Sequence, residues 1–345
     1  MRHLLQVAQA ATFAAAYRMP QLAFEPLGCQ LAASSAPARS CRRLPRVVLL
    51  NRVLLEPEEC EVEPGERLVA RLDAEDPRAT HLRDVLRASD GKRVRAGVVD
   101  HGATDNAEVS WLQGDGGRPS LQLDLGRAPP LLAAAPRARV DLILAMPRPL
   151  QLARLLPMIG SLGVSTLWLT AAAKVEKSYL SSHMLRDGAR GVGKNKGKVR
   201  SALLEGVAQA GGTSVPHVVV CRSLPSLLRD EFPAERGDAA EAAVRLACHP
   251  DRAAPPGSPL AVSPLSGCLD SRLGAPPLGA GRRVVLAVGP EGGWEEPSEL
   301  ELLARHGFEP VSLGPATLRT DVAVCSLLAV THERLLAAAR GEAVS

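Results

Sequence analysis

Two short loops near the carboxyl-terminal end concentrate the residues with chemistry to offer. The first, Gly289-Pro290-Glu291-Gly292-Gly293, follows the β-branched apolar run Val284–Val288, which reads as a buried strand. Its three glycines remove side-chain bulk where a ligand must approach the backbone. The second, Gly314-Pro315-Ala316-Thr317, follows a strand expected over Phe308–Leu313 and opens a long helix over about Leu318–Ala338. A helix is expected between them, with Pro297 in its first turn and Gly307 just past its end. Glu291, Arg319 and Asp321 put two carboxylates and a guanidinium on these loops. If the two strands are parallel, the loops lie side by side, and in open α/β sheets ligands sit at the carboxyl ends of such strands. Taken singly, the first loop is an ordinary turn, and Arg-Thr at a helix start is a cap with a surface charge. The pairing at this separation is what points to a binding site.

The loops need a sheet to hold them, and the chain before them supplies one. Strands are expected at Arg139–Met146, Val164–Thr170, Pro216–Cys221 and Ala243–Cys248, with helices at Leu150–Leu162, Tyr179–Arg190 and Lys198–Ala210. Pro157 is expected to kink the first of these helices. Strands alternating with helices imply a parallel sheet with helices on both faces. Residues 46–126 differ. Short strands at Arg46–Leu55, Glu66–Leu72, Val94–Val99, Ala107–Leu112 and Ser120–Leu125 are punctuated by turns and interrupted by one helix, Ala79–Leu86. That is a small β-rich module. Pro129, Pro130 and Pro136 mark 127–138 as a linker, so the second domain is expected over 139–340. The Pro-, Gly- and Ser-rich segment 251–281 reads as a disordered surface loop.

Composition removes several classes. With 46% hydrophobic and 23% charged residues the 345-residue chain is ordinary for globular proteins, so wholesale disorder is excluded. Aromatics make up only 3%, too few for a broad base-stacking platform. The net charge of +4 misleads: residues 1–50 hold six arginines and one acid, and the remainder is close to neutral. Affinity for a polyanion must therefore come from local patches. The seven cysteines are scattered without C-x-x-C or zinc-finger spacing, which implies neither a metal centre nor a disulfide framework. Residues 1–45, rich in Ala, Arg and Ser and almost free of acids, fit a plastid or mitochondrial transit peptide, and without that role the chain would be cytoplasmic. No run is expected to reach transmembrane length.

The two loops carry a resemblance. Gly289–Gly293, Leu313–Pro315 and Leu318–Thr320, with an acid at Asp321, resemble the small-subunit ribosomal RNA uridine-N3 methyltransferases, the RsmE family of the SPOUT superfamily. Asp321 stands where that family usually has glutamate, and Ser161 and Ala208 stand where it usually has acids. The phrase Met146 to Leu185 resembles one branch of the same family, and ATHLRDVLRASDGKRVR resembles its amino-terminal PUA-like domain. The resemblance implies an α/β fold, a trefoil-knotted parallel sheet domain preceded by a small β-rich PUA-like domain. It implies S-adenosyl-L-methionine as cofactor, small-subunit ribosomal RNA or the assembled small subunit as partner, a homodimer, and no need for membrane or metal.

Carried onto this chain, the cofactor would lie against His249, Gly289, Pro290, Glu291, Gly292, Gly293, Leu313, Gly314, Pro315, Leu318 and Thr320. Uridine N3 must lose a proton to become nucleophilic. Glu291 or Asp321 is expected to accept it, and Arg319 to stabilise the resulting anion. RNA phosphates are expected on Arg83, Arg87 and Lys92, and on the basic stretch containing Arg190, Lys194, Lys196 and Lys198. Two rival readings remain open: a catalytically inactive RNA-binding protein of the same fold, and a phosphate-loop hydrolase. The latter rests on Gly188–Asn195, which spells G-x-x-x-x-G-K but ends in Asn where Ser or Thr belongs, and no apolar strand precedes it.

Overall fold

Each apolar run of the amino-terminal module becomes one strand of a single sheet. The computed structural model describes residues 51–113, 119–185, 197–234, 243–250, 261–273 and 282–340. The strands are β1 (Val53–Leu55), β2 (Cys60–Glu63), β3 (Arg67–Leu72), β4 (Arg93–Val98), β5 (Ala103–Leu112) and β6 (Ser120–Arg127). Their order is β1-β4-β5-β6-β3-β2, with β1 and β4 parallel and every other pair antiparallel. Strand β2 was not expected, because its Cys-Glu-Val-Glu sequence is too acidic to read as a strand. Arg71 on β3 holds it across the ladder, reaching Glu61 at 2.8 Å and also Glu63.

The helix expected over Ala79–Leu86 begins two residues earlier and is mixed. A four-residue α1 (Pro77–Thr80), capped where Asp76 accepts from the Arg78 amide at 2.8 Å, runs on as a π-helical turn, His81–Val85. The stretch expected as a linker instead packs on the first sheet. A short α2 (Ala128–Leu131) buries Ala128 and Leu131, and its two prolines fall in the first turn, where a missing N–H costs nothing. Gly102 N donates to Leu131 O at 3.0 Å and Ala135 N to Asp100 O at 2.9 Å.

The second sheet has seven strands, all parallel: β7 (Val140–Ala145), β8 (Thr166–Thr170), β9 (His217–Cys221), β10 (Ala243–Cys248), β11 (Ser263–Pro264), β12 (Arg283–Val288) and β13 (Glu309–Ser312). They run in the order β11-β13-β10-β12-β7-β8-β9. Among the described residues six helices accompany them: α3 (Pro149–Leu162), α4 (Lys198–Ala210), α5 (Leu224–Glu231), α6 (Leu265–Leu273), α7 (Ser298–Arg305) and α8 (Thr320–Arg340). One apolar cluster, containing Leu142, Leu156, Leu203, Leu286 and Leu328, lies against α3, α4, α6 and α8. A second, containing Ile143, Trp168, Leu228, Trp294 and Phe308, lies against α5 and α7. The expected two-sided covering is present.

Several expectations need correction. Residues 261–273 are not a disordered loop: β11 adds an edge strand, and α6 buries Leu265, Cys268, Leu269 and Leu273 at helical spacing. Short length and a central Gly267 hid that face among the flanking prolines and glycines. Helix α5 was missed although Ser223 caps it, accepting from Ser226 N at 3.3 Å. Of the helix expected over Tyr179–Arg190, the described part forms only a 3₁₀ turn, Lys177–Ser181. Helix α8, 21 residues with an 18-residue window of mean hydropathy 1.5, is long and apolar enough to cross a bilayer by length and composition, against the expectation of no such run. Its Val324, Leu327, Leu328 and Leu335 are built into the core. The proposed leader 1–45, Gly188–Asn195, Arg190, Lys194 and Lys196 all lie outside the described residues.

Helices α3 and α4 meet at small residues. A Cβ on Gly206 would collide with the Pro157 carbonyl, and one on Gly160 with the Leu203 carbonyl. Pro157 lies inside α3, and the missing Cβ of Gly206 lets α4 approach its carbonyl. The turn after α4 is pinned to the first sheet. Arg52 Nε donates to Gly211 O at 2.8 Å, Asp100 N to Thr213 O at 2.9 Å, and Arg200 pairs with Glu56 at 2.9 Å.

Candidate active site

Strand order places the chemistry. Because β10 lies between β12 and β13, three carboxyl ends that are distant in sequence become neighbours. His249, just past β10, donates its amide to Val311 O on β13 at 3.0 Å. The loops after β12 and β13 close over this edge and line a cleft between them. Of the residues assigned to a cofactor from sequence, His249, Gly289, Pro290, Glu291, Gly293, Leu313, Gly314, Leu318 and Thr320 line this cleft. Gly292 and Pro315 do not. Cys248, Val288, Val311, Ala323 and Leu327 form its apolar floor, and sequence reading missed them because such a floor looks like any other core.

The first loop is stitched to the segment after β8. Gly293 N closes the turn on Pro290 O at 2.8 Å. Lys174 Nζ donates to Gly292 O and to Trp294 O, each at 3.1 Å. A Cβ on Gly292 would stand 3.1 Å from Lys174 Cδ, so this glycine makes room for the lysine stem rather than for a ligand. Glu299, 9% exposed in the first turn of α7, accepts from Ala173 N and from Glu295 N, both at 2.7 Å. Lys174 is thus spent on loop carbonyls. The second loop turns at Gly314, whose φ of +124° is open to glycine and strained for any side chain. Its amide donates to Ser312 Oγ at 3.3 Å.

A second groove adjoins the cleft and shares Glu291, Thr317, Leu318 and Thr320 with it. Arg319 lies here, its side chain 71% exposed and paired to Asp321 at 2.8 Å. Asp321 lines neither cavity. A hydrogen bond from Gln151, with help from the Val322 amide and the Arg319 charge, holds its carboxyl below the usual carboxylate range. A carboxylate so occupied is a poor proton acceptor. Glu291 is freer: Arg148 N approaches its Oε1 at 3.4 Å, and its side chain borders both cavities. His249 Nε2 meets Glu296 Oε1 at 3.0 Å beside the cleft. Burial pushes the Cys248 thiol up to about 12, which keeps it protonated and unreactive.

The residues assigned to RNA are not in the cleft. Arg83 is turned back, pairing with Asp84 at 2.9 Å and donating to Ala74 O. Lys92 Nζ donates to Leu86 O at 3.1 Å. Arg87, at a φ of 48°, and Lys198, the first residue of α4, are exposed. Arg78 is withdrawn altogether into pairs with Glu59 and Asp76 at 2.7 Å each.

The donor set suits the nucleoside cofactor that the loop motifs imply. The peptide groups of Ala316, Thr317 and Leu318 have no hydrogen-bond partner among the described residues, and all three residues line the cleft. Peptide groups left open over an apolar floor are what an adenine ring and a ribose require. No group of His, Cys, Asp and Glu suited to hold a metal ion occurs among the described residues.

Known proteins fall in line with this geometry. Residues 134–332 match the family described as RNA methyltransferase domain. Ribosomal RNA small subunit methyltransferase E of Treponema pallidum is 28% identical over 293 residues, spanning 81% of this chain and 90% of that protein. Among solved structures, the methyltransferase E of Neisseria gonorrhoeae bound to S-adenosyl methionine superposes with a TM-score of 0.55 at 19% identity, covering 82% of this chain and 97% of that one. A methyltransferase of Legionella pneumophila in complex with the same cofactor gives a TM-score of 0.53 at 19% identity, with 82% and 97% covered. This chain belongs to the RNA methyltransferase family, and its likeness within that family is to the RsmE-type enzymes.

Proposed function

We propose that this protein methylates N3 of a uridine in small-subunit ribosomal RNA, using S-adenosyl-L-methionine bound in the cleft between the β12 and β13 loops. The observation that carries the reading is the meeting of the Gly289–Gly293 and Leu313–Leu318 loops over one cavity, with Arg319 at its lip. When bound, the cofactor supplies an electrophilic methyl group on a sulfonium sulfur. The peptide groups of Ala316 to Leu318 would hold its nucleoside, and Leu327 and Val288 would pack against its apolar faces.

The remaining work falls to side chains at the shared wall of the two cavities. Glu291 takes the N3 proton onto its carboxylate, directly or through one water. Arg319 stabilises the negative charge that spreads over the uracil carbonyls as that proton leaves. Asp321, committed to Arg319 and Gln151, orients the guanidinium rather than acting as the base. Much of the acceleration then comes from holding the acceptor nitrogen in line with the methyl carbon.

The same reading assigns the first sheet a PUA-like role in RNA contact and gives the second domain a trefoil knot. A chain that must cross β10 to pass from β12 to β13 supports the knot. Exposed Val322 and Leu336 along α8 support a homodimer through that helix. Residues 1–45 serve as an organellar leader. The test is to incubate the purified chain with cofactor and with small ribosomal subunits from bacteria lacking their own enzyme of this type. N3-methyluridine is then mapped by nuclease digestion and mass spectrometry. Cofactor binding without any product would favour the inactive RNA-binding alternative.

A further inference from the structure

The groove beside the cofactor cleft has walls that the proposed chemistry has not yet used. Pro149 and Leu150 open α3 on one side, Tyr179 stands in the 3₁₀ turn on the other, and Leu318 lies between the two cavities. Leu150 is 78% exposed, the most exposed large hydrophobic residue among those described. Among the described residues Tyr179 is the only aromatic one lining the groove, and it is half-buried against the core. Polar groups sit at the rim: Arg148, Gln151, Glu291 and Arg319. An apolar slot with one planar wall and a rim of cations and hydrogen-bonding groups fits a single unstacked nucleobase with its phosphates outside.

We infer that this groove is the subsite for an everted pyrimidine nucleotide of single-stranded RNA, with Tyr179 as the stacking platform for its base. The inference rests on the function proposed above and adds the residue that receives the acceptor. Continuity supports it, since Glu291, Thr317, Leu318 and Thr320 line both cavities, so a base in the groove abuts whatever the cleft holds. Enzymes that modify a base within RNA must take it out of its stack, and an aromatic ring repays part of that cost. The ring face is the active feature, so the tyrosine hydroxyl is dispensable.

Steady-state methylation of small ribosomal subunits, cofactor titration by calorimetry, and the fluorescence of 2-aminopurine placed at the target position in an RNA fragment test this together. Tyr179→Ala is expected to lower kcat/KM for RNA by about 5- to 150-fold, the worth of one base–aromatic stack, and to abolish the stacking quench. Its cofactor affinity should stay within twofold of wild type, and Tyr179→Phe should restore both RNA readouts. A Tyr179→Ala enzyme with unchanged kcat/KM and unchanged quench would overturn the inference. So would one that loses cofactor and RNA activity in parallel, since Tyr179 would then be structural. A wild-type chain that binds cofactor but methylates nothing would sink the functional reading itself, a result that no Tyr179 variant can produce.

Discussion

Glu299 is the residue on which the shape of the cofactor cleft depends most directly, and Glu299→Gln isolates its contribution. The carboxylate accepts two backbone N–H bonds at 2.7 Å, one from Ala173 after β8 and one from Glu295 after the glycine loop. Glutamine keeps the size but turns one acceptor into a donor, so one N–H must face an NH₂. A charge-assisted bond is worth about 1.5–3 kcal/mol, and the stranded amide adds a further penalty where water cannot reach it. Glu299 is buried but Ala173 is exposed, which puts the total near the low end, about 2 kcal/mol. If the cofactor binds only the stitched loop, that cost divides between stability and affinity. Each 1.4 kcal/mol that falls on affinity raises the cofactor Kd about tenfold. Calorimetric titration with S-adenosyl-L-methionine and urea unfolding of the same variant should together account for the 2 kcal/mol. Glu299→Asp, too short to span both amides, should be no better. A Glu299→Gln protein matching wild type in both Kd and urea midpoint would refute the idea that this carboxylate shapes the cleft.

Arg319→Ala should reduce kcat by about 10²–10³-fold while leaving the cofactor Kd unchanged, with Arg319→Lys intermediate, as single-turnover methylation would show. Glu291→Gln should lower kcat by about 10²–10⁴-fold with cofactor binding retained, as loss of a proton acceptor requires, whereas Asp321→Asn should cost less because it only orients Arg319; single-turnover methylation compares them. Gly206→Ala should destabilise the protein by about 2 kcal/mol or more through its collision with the Pro157 carbonyl, seen as a lowered urea midpoint with activity retained at low temperature. Burial holds His332 below its ordinary 6.5, so the folded chain binds its proton later than the unfolded one. Stability present above pH 6.5 should therefore be lost as pH falls through the folded value, by at most about 1.4 kcal/mol per pH unit for this group, and His332→Gln should flatten that slope in urea midpoints between pH 7.5 and 5.5.

How much of this was legible in the sequence depended on whether a residue's role is local. Strands β10 and β12 follow from runs of Val, Ala and Leu bounded by turn residues, and α4 from Lys198 to Ala210 ends at Gly211 as its helical period requires. The glycine loops were visible because their spacing is itself the signal. Roles set by contact with distant segments were not. Nothing near Lys174 or Glu299 announces that the two would grip opposite sides of residues 292–295, since they stand 125 positions apart in the chain and meet only through β8 and α7. Gly292 was assigned to the ligand for its missing side chain, yet that space belongs to Lys174. The same limit hid Gln151: a glutamine in the first turn of a helix looks like solvent-facing surface until its hydrogen bond to Asp321 is found.

The order of strands, more than any single residue, makes the site possible. Had β10, β12 and β13 been laid down in chain order, the β12 loop would lie between the other two. His249 would then be separated from Val311 by a full strand. Inserting β10 between the later pair puts its carboxyl end under both glycine loops at once. His249 can then donate to β13 while Cys248 and Val288 floor the cleft from adjacent strands in register. The chain must cross over β10 after β12 to achieve this, and α7 makes the crossing. Glu299, which stitches the glycine loop, sits in the first turn of that same helix. The element that closes the topology is therefore also the element that sets the cofactor loop, and loosening either should loosen both.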